Sequence, residues 1–160
     1  MTQVSMTIKG LMLDPISNSP IVVLRDLDEK LFLPIWVGVF EANAIALQLE
    51  QVTTPRPMTH DLLRNVLGEM NASVTKIVIS ELRDSTFFAL IHLASGERTL
   101  QIDARPSDAI ALALRTGSPI FVEQSVLDQA QTISPDETSE SRMKKWFEEI
   151  SPEDLGKYKM

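Results

Sequence analysis

The chain has 160 residues, 44% hydrophobic and 23% charged, with no cysteine and a formal net charge of −7. This length and balance suit one packed domain, or two small halves sharing a core, and exclude large-scale disorder, disulfides and thiolate metal sites. The acidic balance, without a basic arm or Lys/Arg cluster, also excludes a broad basic face for nucleic acid, so any such role needs a local pocket.

The start, MTQVSMTIKG, has no basic segment leading into an apolar core. No apolar run approaches the ~20 residues that span a bilayer. The expected compartment is the cytoplasm, with no membrane partner. Three strands are predicted first: VSMTIKGLML, IVVLR and LFLPIWV. The connections DPISNSP and DLDEK carry turn residues, so an antiparallel meander is the simplest arrangement. Pro34 cannot donate to a ladder and points to an edge position or a local irregularity.

A helix follows over AIALQL, with Ala42, Ile45, Ala46 and Leu49 predicted on one face and Glu41, Gln48 and Gln51 on another. A second helix is expected from Thr59, where Leu62, Leu63, Val66, Leu67 and Met70 recur at helical spacing. The pattern then restarts. SVTKIVISEL, STFFALIHL and RTLQID read as three more strands, leading to a second apolar helix, AIALAL, that begins near Ser107 and stops at Gly117. Ala109 stands 65 positions after Ala44. An α+β fold is therefore expected, with two related units of antiparallel meander followed by helix, sharing one core. The boundaries are 1–130 for the domain, with halves of roughly 1–72 and 73–130, and 131–160 for a linker and a C-terminal helical extension. PIFV and SVLDQA supply a further strand and short helix, and RMKKWFEEI is an amphipathic segment that must dock on its own body or on a partner.

Polar residues gather at the helix entrances. RPMTHD and RPSD share a pattern of Arg, Pro, a hydroxyl residue and Asp. Capping alone accounts for Thr59, Asp61, Ser107 and Asp108: proline stops backward extension, the hydroxyl accepts a free N–H, and Asp complements the dipole. Arg56 and Arg105 are not required by capping. Each is either a phosphate or carboxylate receptor or half of an ion pair, Arg105 with Asp103 or Asp108 and Arg56 with Asp61 or Glu41. His60, beside Asp61 and four residues before Arg64, is the best candidate general base, whereas His92 alternates with strand residues and reads as structural. Glu41, Asp61, Asp103 and Asp108 are of the type that holds Mg²⁺ or Mn²⁺, but no dense ligand motif such as HExxH occurs, and the metal is left open. Walker A, GxGxxG and GxSxG motifs are absent as well.

Four blocks in order, LPIWVGVFEANAIALQLE, PRPMTHDLL, KIVISELRDSTFFALIHL and DARPSDAIALALRTGSPIFV, closely resemble the bifunctional nuclease (BFN) domain family over roughly residues 3–130. The resemblance implies an α+β domain, often a homo-oligomer, with RNase and DNase activity attributed to plant members. The motif positions it singles out are Glu41, Arg56, Thr59, His60, Asp61, Arg105, Ser107 and Asp108. Two functions are therefore expected in competition. One is a nuclease acting on RNA or DNA, with Glu41, His60, Asp61 and Asp108 in the chemistry and Arg56, Thr59, Arg105 and Ser107 on the substrate. The other is a non-catalytic oligomeric module that binds a small anionic ligand or a protein partner. Both require the polar helix entrances to meet.

Overall fold

The computed structural model describes residues 2–130. The elements in chain order are β1 (Gln3–Leu13), β2 (Pro20–Asp26), β3 (Phe32–Trp36), α1 (Val39–Leu49), α2 (Thr59–Glu69), β4 (Ser73–Arg83), β5 (Thr86–Ser95), β6 (Arg98–Ala104), α3 (Pro106–Thr116), β7 (Ile120–Glu123) and α4 (Gln124–Gln129). The fold is α+β. The RMKKWFEEI segment and the linker before it lie outside the described residues.

All seven strands form one sheet in the order β3-β2-β1-β7-β4-β5-β6. The first three strands pair antiparallel in sequence, and so do β4, β5 and β6. Short turns dictate this, because adjacent antiparallel strands need only a few linking residues. β7 fills the centre, antiparallel to β1 and parallel to β4, so β1 and β4 run in opposite directions. Pro34 does lie on an edge strand, where its missing N–H interrupts no ladder.

α1 and α3 pack against each other, and both reach the sheet. Their alanines explain the repeated cassette. Ala42, Ala44 and Ala46 on α1 and Ala109, Ala111 and Ala113 on α3 are all buried, and such small side chains let two helix backbones approach closely. Ile45 and Ile110 fill the core between them. The wheel expected for α1 needs correction: Leu49 is exposed, while Ala44 and Leu47 are buried. A single-faced wheel assumes one packing partner, but α1 meets both sheet and helix.

α2 departs further from expectation. None of its residues is fully buried, and Leu62, Leu63 and Val66, with Met70 at the C-cap, are exposed; only Leu67 packs against the core. The helix rests on α3 rather than on the sheet. The predicted hydroxyl caps are also corrected. The N-cap residues are Met58 and Arg105, Thr59 lies inside its helix, Ser107 is the second residue of its own, and neither helix has a side-chain cap bond at that residue. Asp61 supplies the reciprocal contact on α2, its Oδ2 accepting the Met58 N–H at 3.0 Å. α3 ends as expected at Gly117, whose φ of 68° is the left-handed conformation glycine adopts without strain. Among the described residues no helix is long and apolar enough to cross a membrane.

Candidate functional site

The first turns of three helices converge on one polar chain. Glu41 on α1, His60 on α2, and Arg105 with Asp108 on α3 are linked side chain to side chain. Arg105 donates from Nε to Asp108 Oδ2 at 2.9 Å, and its Nη2 lies 2.9 Å from the same oxygen. That Nη2 also reaches Glu41 Oε1 at 2.8 Å. The other Asp108 oxygen, Oδ1, is 2.9 Å from His60 Nε2. Of the two ion-pair partners expected for Arg105, Asp108 is the one it meets, and Glu41, expected for Arg56, joins it; Asp103 stays exposed on β6. Cations are disfavoured at a helix N-terminus, and the two carboxylates reverse that here. The Asp108 hydrogen bond, then that of Glu41, raises the Arg105 guanidinium above its ordinary range.

Burial within the chain is graded. The His60 and Glu41 side chains are 12% and 17% exposed, whereas Arg105 is 64% exposed. The cluster thus shields its imidazole while presenting a guanidinium whose Nη1 bonds to nothing among the described residues. With His60 Nε2 on the carboxylate, a neutral imidazole places its proton on Nε2 and its lone pair on Nδ1, a tautomer assigned from the network.

Gly38 belongs to this arrangement, and nothing in the sequence pattern singled it out beyond its place just before a helix. It is the α1 N-cap, and a Cβ there would collide with Glu41 Oε2. The absence of a side chain lets the Glu41 carboxylate fold back over its own helix start while its other oxygen holds Arg105.

Asp61 belongs elsewhere. Its Oδ1 accepts from Arg115 Nε at 2.7 Å, and Arg115 also donates to the Ala111 carbonyl at 2.9 Å and the Ala44 carbonyl at 3.0 Å. Burial opposes ionisation of Asp61, but the Met58 N–H, the Arg115 guanidinium and the field of Arg64 outweigh it and hold the carboxyl below its usual range. Arg115 was not anticipated. The available signal was a cation four residues after Ala111 on an otherwise apolar helix face, where a charge must find a partner.

Two recesses open beside α3. One, of about 370 Å³, is lined by Thr53, Thr54, Arg56, Asp61, Arg64 and Arg115 among others. Arg56 has no carboxylate partner among the described residues, so neither ion pair expected for it forms. The other, of about 390 Å³, includes Trp36, Gly38, Phe87, Arg105 and Ser107 in its lining. The helix entrances do meet, through His60 and Asp108, but Arg56 and Arg105 face different recesses. Thr59 is exposed at the start of α2, and Ser107 is buried in the first turn of α3. Among the described residues no three His, Asp or Glu side chains converge as a metal-binding group. His92 lies on β5, where burial and then the Lys76 ammonium hold its imidazole below the usual range.

The family model described as the bifunctional nuclease domain matches residues 22–135. An uncharacterized protein of Mycobacterium tuberculosis is 37% identical over 157 residues, covering 91% of this chain and 94% of that one. Bifunctional nuclease 1 of Oryza sativa subsp. japonica is 27% identical over 116 residues, 71% of this chain and 35% of its own length. Bifunctional nuclease 2 of Arabidopsis thaliana is 26% identical over 110 residues, 67% of this chain and 33% of its own. The chain therefore spans about a third of the plant relatives it matches.

Proposed function

Because the chain belongs to the bifunctional nuclease domain family, we propose that it hydrolyses phosphodiester bonds in RNA or DNA at the Glu41–Arg105–Asp108–His60 chain. The single observation that carries this reading is the His60–Asp108 contact, 2.9 Å across 48 positions of sequence, with Arg105 on the carboxylate's second oxygen. Asp108 fixes the imidazole through Nε2 and leaves Nδ1 to accept a proton from attacking water as the P–O ester bond breaks; the leaving oxygen is then protonated from the imidazolium. Arg105 offers its free edge to the phosphate, where negative charge builds in the transition state. Glu41 holds that guanidinium in place. Asp61 is tied to Arg115 and Met58, so it supports α2 rather than acting as a base. Arg56, in the neighbouring recess beside Arg64, would hold a second phosphate of the same strand, and the exposed Thr59 hydroxyl lies at the same helix entrance.

The reading is tested by cleavage of labelled single-stranded RNA and DNA with Mg²⁺, Mn²⁺ or EDTA, comparing wild type with His60→Ala/Asp108→Ala. Equal activity in the two preparations would assign the cleavage to a contaminant.

Gly38→Ala probes the same site from the backbone. Its φ of −74° suits alanine, so the expected stability loss stays within about 1 kcal/mol. The added methyl displaces the Glu41 carboxylate, and loss of one charged hydrogen bond to Arg105 is expected to slow cleavage about tenfold. Glu41→Gln should match it, and the pair combined should be no slower. Full activity in Gly38→Ala would remove Glu41 from the reaction.

One observation favours the second reading, a non-catalytic homo-oligomeric module. The exposed Leu62, Leu63 and Val66 on α2, with Met70 at its C-cap, form an apolar helix face of the kind subunits bury between them. A monomer by light scattering at micromolar concentration would count against assembly through that face.

A further inference from the structure

We propose that the recess between β3, the β4–β5 turn and the start of α3 receives one unstacked nucleobase of a single-stranded nucleic acid, beside the phosphate held by Arg105. This rests on the nuclease reading and adds to it the substrate class, an unpaired strand. Trp36 is 51% exposed, yet its position is fixed: Nε1–H donates to Asp14 Oδ2 at 2.9 Å. The Ile16 N–H and then this indole hold the Asp14 carboxyl below its ordinary range, so the acceptor stays ionised. An indole tethered at its polar end and left half-uncovered is a stacking platform that loses little freedom on binding.

The rest of the lining suits a base rather than an ion. Ile35, Val37 and Phe87 supply apolar surface, and Arg105 adds a planar cation able to lie against a ring. Ser107, 5% exposed, also lines this recess. Its hydroxyl can both donate and accept, which suits the edge of a base. The far wall is the tight turn at Asp84 and Ser85, both with positive φ, which sets Ser85 and Thr86 at the recess. Arg105 belongs to both places: one edge holds Asp108 and Glu41, and the whole residue lines the recess. A base bound there would therefore set its own phosphate next to the His60–Asp108 pair.

Fluorescence anisotropy of a labelled single-stranded oligodeoxyadenylate, in EDTA and with the full chain, provides the test. An abasic strand of the same length and unlabelled inorganic phosphate serve as comparison ligands. Trp36→Leu is expected to weaken oligonucleotide binding roughly tenfold or more, the scale of one base–aromatic stack. Trp36→Phe should retain most of it, and the abasic strand should bind wild type and Trp36→Leu alike. Equal loss of abasic and base-bearing binding, or no loss in Trp36→Leu, would overturn the assignment, as would displacement of the strand by phosphate alone. Because binding is read without cleavage, the two ideas separate. Trp36-dependent binding without cleavage keeps the recess and defeats the nuclease; cleavage with unchanged binding in Trp36→Leu does the reverse.

Discussion

Arg115→Met is expected to destabilise the fold by about 3–5 kcal/mol, the range for breaking a buried ion pair from one side. For a chain of this size that lowers the melting temperature by roughly 8–15 °C. The Arg115 side chain is only 2% exposed and Asp61 17%, so the abandoned carboxylate finds little water. Two carbonyls, Ala44 on α1 and Ala111 on α3, lose their donors in the same change. Asp61→Asn should also be costly, because it leaves the 2% exposed Arg115 guanidinium without its counter-charge, although an amide oxygen can still accept a hydrogen bond. The double variant should fall well short of the sum, since each change removes the same contact. The sign of the pH effect follows from the depressed Asp61 carboxyl. Its contribution is complete above the unfolded value of about 3.9 and is lost as pH falls through the lower folded value. Thermal melts at neutral pH and near pH 3 should therefore show the gap between wild type and Arg115→Met narrowing in acid. A variant that melts with wild type at neutral pH would remove this tie from the fold's support.

Much of the fold was legible because the strands obey simple rules. Alternation and Asp/Asn/Ser/Gly turns marked six of them, Pro34 marked an edge, and Gly117 marked a helix end. Short β7 was visible as PIFV, but its central position between β1 and β4 was not, since four residues carry no information about non-local pairing. The helix faces were read less well. α1 buries more than one side, and α2 buries almost none of its apolar stripe, so a periodic pattern identified the helix without identifying what covers it. At the site, the residue types were legible and the pairings were not. His60 finds Asp108 48 positions away, and Asp61 finds Arg115 54 positions away. Adjacent side chains on one helix thus join different networks, because their directions diverge by about 100°. Arg115 escaped notice because it looked like an ordinary end-of-helix cation.

His60→Gln and Asp108→Asn are each expected to reduce strand cleavage by about 10²–10⁴-fold, the usual contribution of a positioned acid–base group. Asp108→Asn keeps the side chain's shape, His60→Gln keeps its reach and polarity, and both change its chemistry. Asparagine can still meet an imidazole, but it can do so by donating from its amide. That favours the tautomer with Nε2 as acceptor and the proton on Nδ1, the opposite of what proton abstraction requires. Because the two residues act as one unit, the double variant should be no slower than the slower single variant. Stability separates this from a merely structural role. The cluster sits at the surface edge, with Asp108 32% and Arg105 64% exposed, and contacts of that kind contribute about 1 kcal/mol or less. Melting temperatures should therefore move by only a few degrees while cleavage collapses. The reverse pattern, a large drop in melting temperature with cleavage per folded molecule unchanged, would make the His60–Asp108 contact a helix tie, and the nuclease reading would lose its base.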